Sequence, residues 1–202
     1  KDNITISDVR NIELSDLFNR KISKINFSLL SKLKKKNILI TGGAGSIGSE
    51  LCIQVAKLNP TKIVLFDHDE TALFDIQRKM KFITNTNVVS ILGNINDTNF
   101  LRKIVKDYEI SDIYHAAAYK HVSILENNPL KAIQNNIFGT ISVLKSISND
   151  VNNITIISTD KAANPKNVLG FTKRIAEIVS QNYFLNSNLS KKNLSIVRFG
   201  NV

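Results

Sequence analysis

Thr159, Asp160 and Lys161 are consecutive, and Lys173 follows in the same stretch, STDKAANPKNVLGFTKR, residues 158–174. A hydroxyl, a carboxyl and an amine side by side supply a hydrogen-bond donor, an acid and a base. The apolar run ITIIST before Asp160 reads as a buried strand, so the three lie where that strand ends. Lys173 falls on the helix that follows, in a position to hold ribose hydroxyls and lend positive charge. One turn before it stands Leu169, which cannot exchange protons.

A second stretch, ITGGAGSIGSE, carries Gly42, Gly45 and Gly48 between an apolar run and a helical pattern. The first glycine permits a tight turn, the second lets backbone approach a pyrophosphate, and the third lets helix pack close on strand. Unpaired N–H groups of the helix start, at Ser46 and Ile47, then face phosphate. This context predicts dinucleotide binding. Asp67, ending the second apolar run, is expected to accept from the ribose 2′-OH of NAD and to repel the 2′-phosphate of NADP. NAD is therefore the expected cofactor, with NADP the alternative. Asn94 and Ile95 follow the third run, where adenine would lie, and the Asn94 carbonyl is a candidate acceptor for the adenine amino group. Ala116, Ala117 and Ala118 follow the fourth and are small enough for a nicotinamide ribose to lie against them. Lys120 and His121 come next and point toward substrate, whereas His115 reads as a packed core residue. Three scattered histidines and one cysteine show no metal-ligand spacing.

The elements that position these residues are legible as an alternation. Six short, β-branched-rich runs, at 37–41, 62–67, 87–92, 112–117, 154–159 and 194–199, look like parallel strands buried on both faces. Helical patterns at 46–58, 70–82, 98–108, 129–148 and 167–185 separate them, with Asp97 as N-cap of the third and Pro129 in the first turn of the fourth. The pattern predicts an α/β fold, a doubly wound (Rossmann) parallel sheet of six strands with helices on both faces.

The chain has 202 residues, 43% hydrophobic and 22% charged, with a net charge of +10. Cys52 is alone, which excludes an intrachain disulfide. No window approaches the length of a membrane span. Residues 1–36 hold nine basic and four acidic residues and read as a basic linker with a short helix at 14–20. No aromatics interleave with its basic residues to stack on bases, so no nucleic-acid partner is expected. Residues 37–202 read as the dinucleotide-binding domain.

The motifs TGGAGSIGSEL, FDHDE, HAAAYKHV, NNIFGT, STDKAANPKNVLGFTKR and VRFGNV together resemble the nucleotide-sugar 4,6-dehydratases of the extended short-chain dehydrogenases. The nearest branch is the UDP-N-acetylglucosamine 4,6-dehydratases with the large polysaccharide-biosynthesis proteins. The resemblance implies C4 oxidation of a UDP-N-acetylhexosamine, loss of water across C5 and C6, and return of hydride to C6. It maps an Asp-Lys pair acting at C5 and C6 onto Asp160 and Lys161, with Asp160 protonated as the acid. Thr159 then assists at the C4 hydroxyl and Lys173 holds the ribose. Asn201, in the last motif, joins Lys120 and His121 on the substrate side. Small members carry a tyrosine at position 169 and large ones often a methionine; Leu169 departs from both.

The resemblance further implies a homo-oligomer, a cytoplasmic site at the inner membrane face, and membrane helices only in regions outside this chain. The family's C-terminal substrate lobe is absent from the chain, so cofactor binding without sugar turnover is the expectation. The rival readings are a nucleotide-sugar 4-epimerase and a non-catalytic NAD-binding module.

Overall fold

The computed structural model describes residues 33–187 and 192–200. The short helix expected at 14–20, the linker up to residue 32, and Asn201 lie outside the described residues. Leu33, within the stretch read as linker, packs against the core.

Six strands form one parallel sheet. They are β1 (Asn37–Thr41), β2 (Lys62–Asp67), β3 (Asn87–Leu92), β4 (Asp112–His115), β5 (Asn153–Thr159) and β6 (Asn193–Phe199), in spatial order β3-β2-β1-β4-β5-β6. The order reverses between β1 and β4, and at such a reversal loops leave the sheet in opposite directions and open a crevice at the strand carboxyl ends.

Side chains of β1 alternate between two cores. Ile38 and Ile40 pack with Cys52 and Val55 of α1 (Ser46–Ala56) and with Leu73, Ile76 and Met80 of α2 (Glu70–Ile83). Burial there pushes the Cys52 thiol up to about 12, so it is an inert filler. Leu39 faces the other core, with Leu101, Ile104 and Val105 of α3 (Thr98–Asp107). Both faces of the central strands are covered, which is why their runs are continuously apolar. β6 differs: it is an edge strand, and Val197 is 41% exposed. Among the described residues, no helix is long and apolar enough to cross a membrane.

Three elements depart from the sequence reading. β4 stops at His115 instead of residue 117, level with Thr41, the last residue of β1, although β5 on its other side runs on to Thr159. A short helix, α4 (Val122–Glu126), precedes the expected long one. That long helix is broken into α5 (Pro129–Ala132), a π-helical segment (Ile133–Phe138) and α6 (Gly139–Lys145). Helix α7 (Val168–Asn186) follows a 3-10 turn at Asp160–Ala162 and is capped by Asn167, which accepts from the Gly170 N–H at 2.8 Å.

Asp97 caps α3 as expected, its Oδ1 accepting from the Phe100 N–H at 2.9 Å. Asp97→Ala is expected to lower the unfolding free energy in urea by about 1 kcal/mol, and Asp97→Asn by only a few tenths.

Candidate active site

The glycine loop lies between the end of β1 and α1. Gly42 has φ +66°, and a Cβ on it would lie 2.6 Å from the Ala117 nitrogen. A Cβ on Gly48 would lie 2.0 Å from the Gly42 carbonyl oxygen. Gly45 is the N-cap of α1 and offers no side chain to its first-turn amides. Gly42 and Gly45 line two recesses, of about 370 and 520 Å3, and those donors border the second. Uncapped amides beside open space suit an anion such as a diphosphate. Ser46 and Ile47 line the second recess, where the Lys120 Nζ lies 3.4 Å from the Ser46 Oγ.

Asp67 is 9% exposed and heavily used. Its Oδ1 accepts from the His68 and Asp69 N–H groups at 2.7 and 3.3 Å, and its Oδ2 from the Ala44 N–H at 3.0 Å. The carboxylate thus ties the glycine loop to the end of β2, and Oδ2 keeps acceptor capacity toward the first recess. Asn94 and Ile95 line that recess. The Asn94 carbonyl already accepts from the Asn96 backbone at 2.9 Å and from its side chain at 3.2 Å. Turn chemistry therefore occupies the group expected to meet adenine.

A third recess, about 270 Å3, brings Thr159, Lys161, Leu169 and Lys173 together with Ile47, Ala116, Ala118 and Lys120. His121 borders the second recess instead. The Thr159 hydroxyl donates to the Asp160 Oδ1 at 3.0 Å, and the Lys161 ammonium reaches the same oxygen at 3.2 Å. Thr159 and Lys161 hold the Asp160 carboxyl below its ordinary range. This is opposite to the protonated state expected of an acid. The hydrogen bonds from Thr159 and Lys161 favour its charged form, and with the side chain 57% exposed water adds to that.

Leu169, 7% exposed, packs with Leu125 and Ala132 and seals one wall. One turn on, Lys173 is 5% exposed, and burial lowers its amine to about 8, with the Glu177 carboxylate opposing. Two buried polar groups that the sequence reading passed over or treated as packing fix this region. Asn136, on the π segment, donates to the Tyr119 carbonyl and the Thr172 hydroxyl, both at 3.1 Å, and accepts from the Tyr119 N–H at 2.8 Å. His115 bridges the Thr41 and Thr140 hydroxyls at 2.7 and 2.9 Å, and burial holds it neutral by lowering it to about 3. Tyr119, also missed, borders all three recesses. An asparagine pair inside an otherwise apolar helical pattern was the available signal for Asn136.

The sequence matches the polysaccharide biosynthesis protein family over residues 38–202. The chain belongs to this family. It is 39% identical over 203 residues to the capsular polysaccharide biosynthesis protein CapD of Staphylococcus aureus, covering 98% of this chain and 34% of that protein. It is 36% identical over 174 residues to an inverting UDP-N-acetylglucosamine 4,6-dehydratase of Campylobacter jejuni, covering 83% and 49%. The structure of Pen from Bacillus thuringiensis superposes with a TM-score of 0.77 at 32% identity, covering 84% and 51%. The chain thus spans about a third to a half of the proteins it matches.

In this family member Lys173 is a stability cost. Between about pH 8 and 10.5 the unfolded chain holds a proton that the folded chain has lost, so stability rises with pH across that window. Below it the folded state bears the full cost of a buried ammonium, roughly 3 kcal/mol. Lys173→Met is expected to raise the unfolding free energy at pH 7 by on the order of 2–3 kcal/mol, with the gain fading toward pH 10.5. Destabilisation at pH 7 in urea would refute this.

Proposed function

We propose that the chain is the NAD-binding catalytic part of a UDP-N-acetylhexosamine 4,6-dehydratase of surface-polysaccharide synthesis. The observation that carries this reading is the joining of Thr159, Asp160 and Lys161 in one hydrogen-bonded group, of which Thr159 and Lys161 line a recess shared with Lys173 and with Ile47 after the glycine loop. An epimerase needs only chemistry at C4 and has no use for a base at C5.

The Ser46 and Ile47 amides hold the diphosphate. The free capacity of Asp67 Oδ2 takes a ribose hydroxyl, and Lys173 donates to the hydroxyls of the nicotinamide ribose. Bound NAD supplies a reversible hydride acceptor for C4 of the sugar and returns the hydride at C6. Oxidation at C4 acidifies the C5–H bond. Lys161 Nζ removes that proton, and Asp160 delivers one to the departing C6 hydroxyl.

The ion pair makes both groups from one event. Sugar filling the recess strips water from the Lys161–Asp160 pair, and desolvation penalises both charges. Transfer of one proton across the 3.2 Å contact relieves both penalties and leaves a neutral amine beside a protonated carboxyl. The ionised Asp160 of the free chain is thus the precursor of the acid. Thr159 donates to that carboxylate beforehand; as C4 is oxidised its oxygen takes the C4 hydroxyl proton while its own proton passes to water at the strand end, and protonated Lys161 afterwards returns a proton to C5. Leu169 keeps water out on the remaining side.

Two measurements test this. Reaction of UDP-N-acetylglucosamine in D2O with a full-length protein that joins this chain to the family's substrate lobe should give a 4-keto-6-deoxy sugar carrying deuterium at C5, and Lys161→Ala there should abolish that exchange. A product with inverted C4 and its C6 hydroxyl retained would replace this reading with an epimerase. In dinucleotide titrations NAD should bind at least about tenfold more tightly than NADP, because a 2′-phosphate would meet the Asp67 carboxylate. Equal binding would remove Asp67 from this role.

A further inference from the structure

We propose that Glu177, buried behind the third recess and out of reach of any ligand, is a positioning residue. It clamps the ends of β5 and β6 together and supplies the negative charge that holds the Lys173 ammonium.

The Glu177 carboxylate is 2% exposed and fully occupied. Its Oε1 accepts from the Ser158 hydroxyl at 2.7 Å and from Arg198 Nε at 2.8 Å. Its Oε2 accepts from Arg198 Nη2 at 2.6 Å and from Arg174 Nη1 at 3.1 Å. Three elements meet there: Ser158 on β5, Arg198 on β6, and Arg174 with Glu177 on α7. Each bond reaches the wall of the recess or the residue next to it. Ser158 itself lines the recess, Arg174 follows Lys173 and Arg198 precedes Phe199, and both Lys173 and Phe199 border it. Ser158 and Arg198 are also register partners across the two strands, so the carboxylate locks a pair that the sheet has already aligned. β6 is an edge strand with no further neighbour among the described residues, so a bidentate arginine anchor matters more there than at a central strand.

Lys173 lies one helical turn before Glu177. The other charged or titratable groups around it are His115 on β4, held neutral, Tyr119 and Lys120 on the loop after β4, and Lys161 with its partner Asp160 at the end of β5. Arg174 and Arg198 surround the carboxylate itself. Glu177 is therefore the anion opposing the desolvation of Lys173, while the two arginines offset part of its field. A carboxylate that only braced the strands would have no reason to govern the lysine's charge, and this separates the two roles.

The role of Lys173 toward a cofactor rests on the proposed function; the clamp does not. The test is the titration of Lys173 in the chain labelled with [13Cε]lysine, its signal assigned by loss in Lys173→Arg. Glu177→Gln keeps shape and removes the charge, and the Lys173 midpoint should fall by about one pH unit or more. Arg198→Gln leaves Glu177 charged and less neutralised, and the midpoint should rise by about half a unit or more. Opposed shifts support the proposal. An unchanged midpoint in a folded Glu177→Gln chain, or shifts of the same sign in both variants, overturns it. If Glu177→Gln does not fold, Arg198→Gln decides alone: a rise supports the clamp, and no change or a fall overturns it. Opposed shifts in a chain that binds no dinucleotide would keep the clamp and remove the dehydratase reading.

Discussion

Between β1 and β4 two loops must lie almost in contact and still leave room for a ligand beside them. The glycine loop meets the alanine loop at Gly42, where even a Cβ would collide with Ala117. Gly48 lets α1 begin against the carbonyl of Gly42. Beneath this contact the two strands are joined by their backbone ladder and by the His115 imidazole, which bridges Thr41 and Thr140. The recesses open where the ladder stops, and each borders this seam through Ala116 and Ala118. Their shape follows from the tightness of the seam.

Around the seam the fold keeps charge in places where packing alone would favour carbon. Lys173 sits among buried groups and Glu177 lies just behind it. One is a charge with too little compensation, and the other has four hydrogen-bond donors. A buried charge left unbalanced raises the energy of the folded state, so its retention points to a task outside folding. Leu169 fits the same economy. It contacts Leu125 and Ala132 and holds water away from the polar groups around it.

The fold was readable because the central strands are apolar on both faces. β1, β2 and β3 begin and end where the apolar runs do, and β5 and β6 start one residue earlier than expected. The failures are long-range. β4 ends level with the last residue of β1 and short of the end of β5, a limit that no local pattern around residue 115 records. The π segment exists where Asn136 bonds both the Tyr119 loop and α7, partners 17 and 36 residues away. Glu177 is not among the candidate residues read from the sequence, because only the approach of Ser158 and Arg198 makes it a buried hub. The candidate cluster at the end of β5 was legible because three polar groups stand in one local run. The ionisation of Asp160 was not, since it depends on which donors point at it.

The seam also sets the order of assembly. β1 can pair with β2, and β2 with β3, soon after they are made, because all three are close in sequence. Its other edge must wait for β4: Ile38 pairs with Asp112, and Thr41 with His115, 74 residues on. Contacts this distant in sequence form slowly, because loop-closure entropy is paid before they reward it. During synthesis the apolar edge of β1 therefore stands open while α2, β3 and α3 emerge, exposed to pairing with other chains. The reversal of strand order that opens the crevice thus makes the seam between β1 and β4 the last to close and the first place for misassembly to begin.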